Sequence, residues 1–370
     1  MPAVADDPMP ELVVRGRRIG TGHRVYVIAE ISANHQGSLA RAEELVGLAA
    51  DAGADAVKIQ TYTADTMTID SDAEPFRIGE GTLWSGRRLY ELYEEAATPW
   101  EWHEPLMQVA ADAGLDLFST PFDRSSVDFL VQLDVPLLKI ASFELVDHAL
   151  VAYAGSQDRP LLISTGMATA EEIDAAVHVA LESGAPGVAL LRCNSAYPAS
   201  PEEMDLRSIP DMAERWKVPV GLSDHTLGTA AAVASVALGA SVIEKHFTLD
   251  RAEPGPDSAF SLEPDEFRTL VREVREVEAA LGEVRYGPSE REKPSLAFRR
   301  SLFVVRDVRA GEVFTEDDVR SIRPGDGLAP RHLTAVIGRR ATRDVARGTP
   351  LAWDLVEGGD AHANGPGTSS

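Results

Sequence analysis

Two apolar runs, Val220-Gly221-Leu222-Ser223-Asp224-His225-Thr226 and Val242-Ile243-Glu244-Lys245-His246-Phe247-Thr248-Leu249-Asp250, read as buried strands that end in chemistry. A plain core strand carries no such groups, because an ionised side chain in an apolar interior is costly unless it is paired, hydrogen-bonded or on a metal. Side chains alternate along a strand. Glu244, His246 and Thr248 therefore share one face, Lys245 takes the other, and Ser223 shares a face with His225. Two imidazoles at the carboxyl ends of neighbouring strands suit a divalent cation with open coordination positions. Imidazole takes zinc, manganese or iron, so the residues alone leave the metal open.

The same kind of ending recurs along the chain. Earlier apolar runs close on Glu30, on Lys58 with Gln60, on Thr120, on Lys139 with Ser142 and Glu144, on Ser164, and on Asn194. Two lysines with the hydroxyls of Thr120, Ser142, Ser164 and Ser223 and the amide of Asn194 suit a ligand carrying a phosphate and a carboxylate. One polar strand end means little. Eight in succession are not explained by core packing, since barrel interiors favour branched apolar residues.

The elements that must position these groups follow from the periodicity. The strands are Val25–Ile31, Ala56–Thr61, Asp116–Thr120, Leu137–Ser142, Leu161–Ser164, Val188–Asn194 and the two histidine-bearing runs. Helical segments such as Leu39–Ala52, Pro99–Ala113, Ser125–Leu133, Ala170–Ser183 and Leu227–Leu238 separate them. Eight such units make a (β/α)8 barrel, whose strand ends converge on one face. A doubly wound open sheet would need a glycine-rich phosphate loop after its first strand, and Glu30-Ile31-Ser32-Ala33-Asn34 is not one. A zinc hydrolase barrel is the rival site reading, but His23 and His35 only flank the first strand and form no His-x-His pair.

Between the second strand and its helix, Tyr62 to Trp100 is a long aromatic and charged insertion (Phe76, Trp84, Tyr90, Tyr93, Trp100). A loop of that length in a compact domain is usually functional. The segmentation reads as a tail at 1–14, with Glu11–Arg24 able to hold one short hairpin, and the barrel at 15–283. A linker follows at 284–297, then a small β-rich module at 298–357 and a Gly/Ser/Ala-rich disordered tail at 358–370. Short β segments are expected in the module at Ser301–Val305, Val313-Phe314, Ile322-Arg323-Pro324 and Val336-Ile337.

Composition limits the partners. There are 59 Asp plus Glu against 35 Lys plus Arg, a net charge of -24, which disfavours nucleic acid and anionic membranes. An anionic substrate would need a local positive pocket. The single cysteine, Cys193, permits no internal disulfide and fits a reducing cytoplasm. No secretion pattern opens the chain, and no apolar run is long enough to span a bilayer.

The ordered motifs Ala29-Glu30-Ile31-Ser32-Ala33-Asn34-His35, Lys58-Ile59-Gln60-Thr61, Ser119-Thr120-Pro121-Phe122, Lys139-Ile140-Ala141-Ser142-Phe143-Glu144, Ser164-Thr165-Gly166-Met167, Ser223-Asp224-His225-Thr226 and Glu244-Lys245-His246-Phe247-Thr248-Leu249-Asp250 resemble the sialic acid synthase family. Arg300-Ser301-Leu302 and Ile322-Arg323-Pro324-Gly325 resemble its antifreeze-like (SAF) domain. The likeness runs from Arg24 to Val356. Within the family, Thr63-Ala64-Asp65-Thr66-Met67-Thr68, Gly81-Thr82-Leu83-Trp84, Leu89–Ala96, Thr98–His103 and Phe260–Pro264 look like the pseudaminate branch, with the N-acetylneuraminate and legionaminate branches as alternatives.

The resemblance implies a reaction: phosphoenolpyruvate, an acetamido sugar aldehyde and water give a nonulosonic acid and phosphate. In the pseudaminate branch the sugar is 2,4-diacetamido-2,4,6-trideoxy-L-altrose. It implies His225 and His246 on a divalent metal (manganese, with magnesium or cobalt as alternates) and Lys58 and Gln60 at the carboxylate. Thr120, Lys139, Ser142, Ser164, Asn194 and Ser223 would hold the phosphate, and Glu144 and Asp257 the sugar. Glu30 and Glu244 would orient or deprotonate the attacking water. It also implies a domain-swapped homodimer in which Arg323 reaches the partner's substrate in trans. A metal hydrolase on the same barrel, and a non-enzymatic binding role led by the tail module, are the alternatives from other classes.

Overall fold

The structure, a computed structural model, describes residues 11–359, so most of the tails expected at 1–14 and 358–370 lies outside the described residues. The chain divides into two compact units, Met1–Gly282 and Glu283–Ser370.

The first unit opens with an antiparallel hairpin of β1 (Leu12–Val14) and β2 (Arg17–Ile19). The tail boundary expected at residue 14 is thereby corrected: Leu12–Val14 form a strand, because Leu12, Val14 and Ile19 give the hairpin an apolar face that is buried in the barrel core. Its arginines reach acceptors that precede or open barrel strands. Arg17 pairs with Asp55 at 2.8 Å, and Arg15 donates to the Asp134 carbonyl at 3.1 Å. The hairpin therefore covers the amino-terminal end of the barrel.

Eight parallel strands then close a barrel: β3 (Tyr26–Glu30), β4 (Ala56–Thr61), β5 (Asp116–Pro121), β6 (Leu138–Ile140), β7 (Leu161–Ser164), β8 (Val188–Cys193), β9 (Val220–Asp224) and β10 (Val242–His246). Their order around the barrel is β10-β3-β4-β5-β6-β7-β8-β9. The strands are almost wholly buried on both faces, as a barrel wrapped by helices requires. Register carries the site: His246 is level with Glu30, Glu30 with Lys58, Gln60 with Thr120, and Glu244 with Ser223. In a parallel pair, level residues face the same way, so these side chains meet at one mouth.

The outer helices are α1 (Leu39–Asp51), α4 (His103–Asp112), α5 (Arg124–Gln132), α6 (His148–Gly155), α7 (Ala170–Glu182), α8 (Ser208–Trp216), α9 (Ala230–Ala237) and α10 (Pro264–Leu281). Short polar residues set their starts. Thr169 and Glu172 form a reciprocal cap on α7, and Asp123 caps α5 through the Ser125 and Ser126 amides. The helix expected from Leu227 begins three residues later, at Ala230. The insertion between β4 and α4 holds two short helices, α2 (Ala64–Met67) and α3 (Leu89–Ala96), joined by turns. Its far end is tied down where His103 Nε2 meets Thr61 Oγ1 at 2.7 Å and Trp100 stacks on Phe129.

The second unit has its own core, which includes Leu302, Val304, Phe314, Val319, Val336, Leu351 and Trp353. Among its described residues the one antiparallel strand pair is β11 (Ser301–Val304) with β12 (Val319–Ile322). The rest of its described residues form turns, single β-bridges, 3-10 helices and the short helix α11 (Leu333–Val336), so the strand expected at Val336-Ile337 is instead a helix end. Val336 is buried and Ile337 packs against the core, which an apolar pair achieves on either element. The stretch expected as linker includes the start of a 3-10 helix, Lys293–Phe298.

Candidate active site at the carboxyl end of the barrel

Four charged side chains form the floor of the mouth. Lys58 Nζ lies 2.8 Å from Glu30 Oε2 and 3.7 Å from Glu244 Oε1, and donates to Thr120 Oγ1 at 3.2 Å. Lys139 Nζ lies 3.8 Å from the same Glu244 oxygen and donates to Ser164 Oγ at 2.6 Å. Ser223 Oγ donates to Glu244 Oε1 at 3.0 Å. All of these residues are buried.

The two carboxyls are driven apart in acidity. Burial pushes Glu30 up, with the Glu244 charge adding to the rise and Lys58 opposing it. Burial would also push Glu244 up, but the ammoniums of Lys139 and Lys58 hold it below the usual range. Burial would lower Lys58, yet Glu244 and Glu30 keep it raised and charged. A carboxyl disposed to carry a proton beside one disposed to lose it is an acid–base pair.

Along one wall, Gln60 donates to Glu30 Oε1 at 3.1 Å and to Ser32 Oγ at 2.9 Å, and Ser32 donates to Asp257 Oδ2. Asp257 is thus wired to Glu30 through two side chains, and burial pushes its carboxyl above the ordinary aspartate range. On the opposite wall, Ser142 Oγ accepts from the Gly166 amide at 3.0 Å. A Cβ on Gly166 would strike the hydroxyls of Ser195 and Ser142, so glycine lets the backbone approach both hydroxyls closely. Glu144 follows β6. Burial lifts its carboxyl to about 7, against the pull of Lys139.

The histidines lie above the floor, with ring centroids 5.3 Å apart. His225 Nδ1 lies 2.7 Å from the carbonyl of Asn194, which fixes Nδ1 as the donor and leaves Nε2 as the nitrogen available to a ligand. His246 Nδ1 is buried with no hydrogen-bond partner among the described residues. Among those residues no group of three or more His, Cys, Asp or Glu is arranged to hold a metal ion. Two imidazoles, one with an orphaned ring nitrogen, still fit a divalent cation whose other positions are taken by water and substrate, as an open rather than a structural site.

The barrel thus brings together Glu30, Lys58, Gln60, Thr120, Lys139, Ser142, Ser164, Ser223, His225, Glu244, His246 and Asp257. Asn194 arrives differently from expectation. Its amide is spent within its own loop, on the Glu203 carbonyl and the Ala196 amide, and its backbone carbonyl orients His225. Arg323 belongs to the second unit, exposed directly after β12. Several residues stand at the site that the sequence did not place there. Tyr197 lies 4.3 Å from His225 ring to ring, Phe260 lies 4.8 Å from His246, and Cys193 Sγ is 3.9 Å from His225 Nδ1. Burial raises the Cys193 thiol, but the neighbouring His225 and other polar groups bring it down to about 7. Ser32 was visible as the first hydroxyl after β3. Tyr197 lies in a loop without periodicity and gave no signal, and Phe260 stood in the sequence only as part of the Phe260–Pro264 branch motif.

A closed (β/α)8 barrel with a charged mouth, followed by a small separate module, defines a barrel enzyme with an appended domain. The model of the NeuB family matches residues 45–286 and that of the SAF domain matches residues 299–357; the chain belongs to the NeuB family. It is 44% identical over 331 residues to a pseudaminic acid synthase of Campylobacter jejuni subsp. jejuni serotype O:23/36, covering 90% of this chain and 96% of that protein. It is 40% identical to a pseudaminic acid synthase of Helicobacter pylori, covering 90% and 97%. Among solved structures, the N-acetylneuraminic acid synthetase of Leptospira borgpetersenii serovar Hardjo-bovis, in complex with citrate, matches with a TM-score of 0.69 at 30% identity, covering 78% of this chain and 95% of that one.

Proposed function

We propose that this chain condenses phosphoenolpyruvate with 2,4-diacetamido-2,4,6-trideoxy-L-altrose and water to give pseudaminic acid and phosphate. The observation that carries the reading is the buried Lys58–Glu244–Lys139 cluster beneath a pair of neighbouring imidazoles. It supplies positive charge for an anion inside a strongly acidic protein. The relatives that bear the pseudaminate name support this choice of sugar over the N-acetylneuraminate and legionaminate precursors.

In this reading Lys58 and Gln60 meet the carboxylate of phosphoenolpyruvate. Lys139, Ser164, Ser142, Thr120, Ser223 and the Gly166 amide surround its phosphate. Asp257 and Glu144 hold sugar hydroxyls or amides. The methylene carbon of the enol attacks the aldehyde carbon, forming the carbon–carbon bond, and the aldehyde oxygen takes up a proton. Glu30, disposed to be protonated, is the donor on hand. Water then adds to the cation left at C2, its proton passing to Glu244 Oε2, which has no partner among the described residues. The tetrahedral adduct expels phosphate and leaves the keto acid. A divalent cation held by His225 and His246, manganese by preference with magnesium or cobalt as alternates, supplies Lewis-acid polarisation of the aldehyde when bound.

The test is phosphate release by metal-replete protein supplied with phosphoenolpyruvate and each of the three sugars. Turnover on the altrose derivative is expected. Turnover restricted to N-acetylmannosamine would move the chain to the N-acetylneuraminate branch, and activity without phosphoenolpyruvate would favour a hydrolase. The reading extends to a homodimer with Arg323 supplied in trans. Co-expressed Arg323→Ala and His225→Ala chains should then recover activity that neither has alone, whereas an arginine acting within its own chain predicts no recovery.

A further inference from the structure

The insertion after β4 and the loop after β10 enclose a pocket of about 500 Å³ lined by Leu83, Trp84, Arg87, Glu95, the 254–256 stretch and Ala259. It belongs to none of the groups assigned above. Trp84 fastens its two walls together, since its indole N–H donates to the Pro256 carbonyl at 3.0 Å. The same indole lies 5.6 Å from the ring of Tyr197, which in turn lies against His225. The loop from 254 to 260 serves both places. Asp257 and Phe260 are buried toward the catalytic cluster, while Pro254, Pro256 and Ala259 line the pocket. The pocket is therefore two ring contacts from the histidine pair, on the catalytic face of the barrel.

Its chemistry selects a ligand group. Leu83, the Trp84 ring, two prolines and Ala259 make apolar walls. Its only charged residues, Arg87 and Glu95, are ion-paired with each other, so the lining has no net charge and offers an anion little. At that rim one side chain donates and the other accepts. A small neutral group with one donor, one acceptor and a methyl is an amide of acetic acid. We propose that this pocket is the subsite for the acetamido group farther from the aldehyde carbon, and that Trp84 and Ala259 make the chain specific for a diacetamido sugar. This rests on the reaction proposed above and deepens it.

The experiment uses alditols, whose reduced aldehyde carbon cannot react. One derives from the diacetamido altrose; its counterpart carries a hydroxyl in place of the second acetamido group. Each is titrated by calorimetry into full-length, metal- and phosphoenolpyruvate-loaded wild type, Trp84→Ala and Ala259→Phe. Wild type should bind the diacetamido alditol about 10- to 100-fold more tightly than its counterpart, the range for an apolar pocket accepting or lacking its group. Both variants should bring the two within about two-fold. Ala259→Phe fills the pocket from an exposed position without touching the Trp84 hydrogen bond, so it stands if Trp84→Ala disturbs the loop. Discrimination that survives in Ala259→Phe, or equal affinities in wild type, overturns the subsite alone. Wild type that binds neither alditol overturns the proposed reaction with it.

Discussion

Replacing Lys245 with methionine tests how the two histidine strands are held. Lys245 points away from the mouth, and its side chain and that of Asp224 are 0% exposed. Its ammonium lies 2.8 Å from Asp224 Oδ2 and also donates to the Thr226 carbonyl. Asp224 Oδ1 is already served by the Thr226 amide and hydroxyl at 2.9 and 2.8 Å. Methionine matches the length of the lysine stem, so the cavity cost is small. The cost lies in leaving Asp224 Oδ2 buried without a donor, and breaking one side of a buried pair typically costs about 3–5 kcal/mol. Because Oδ1 keeps two donors, the lower end, about 3 kcal/mol, applies. The first unit spans Met1–Gly282, and an unfolding entropy of about 2.1 cal/mol/K per residue gives it roughly 0.6 kcal/mol/K, so the midpoint should fall by about 5 °C. Lys245→Met with Asp224→Asn should recover more than half of that loss. The asparagine oxygen can keep the Thr226 donors, while its amide supplies the Thr226 carbonyl. Calorimetric melting of the three proteins at pH 7 is the assay. A single-mutant shift under about 2 °C, or a double mutant no better than the single, would refute the account of a tightly coupled buried pair.

Other expectations follow from the same geometry. His35 and His103 are buried, and burial holds each at about 4. An unfolded chain takes up these protons near 6.5, so stability should fall as pH drops from 6.5 to 4, by up to about 3 kcal/mol per histidine; a flat melting temperature over that window would refute it. If Glu144 binds the sugar as a carboxylate, its value of about 7 means it gains a proton as pH falls below 7. The sugar KM should then rise on acidification, and Glu144→Gln should remove that dependence. Gly166→Ala pushes a methyl into Ser142 and Ser195; it should raise the KM for phosphoenolpyruvate about ten-fold or more with little change in melting temperature. Glu244→Gln should lower kcat by roughly 10²–10³-fold, and His246→Ala should abolish measurable manganese binding by titration.

The barrel was legible because its evidence is local. Runs such as Val25–Ile31 and Ala56–Thr61 alternate with amphipathic helices, and strand alternation by itself placed Glu244 and His246 together with Lys245 opposite. The carboxylate that meets Lys245 on that opposite face is Asp224, which precedes His225 as Lys245 precedes His246. Which groups touch was another matter. Lys58 and Lys139 sharing one oxygen of Glu244 depends on barrel closure and on the register between strands far apart in the chain. Asn194 shows the limit most plainly. Its residue type suggested an amide for phosphate, but the turn after β8 spends that amide locally and presents a carbonyl to His225. The insertion shows it again, since nothing in residues 62–100 reveals that Trp84 will dock on Pro256, a partner 172 positions away. Period-two and period-3.6 patterns are set by the backbone and can be read from neighbours in the chain. Hydrogen-bond partners and pocket walls are set by which loops meet above the strands, and only the closed tertiary structure decides that.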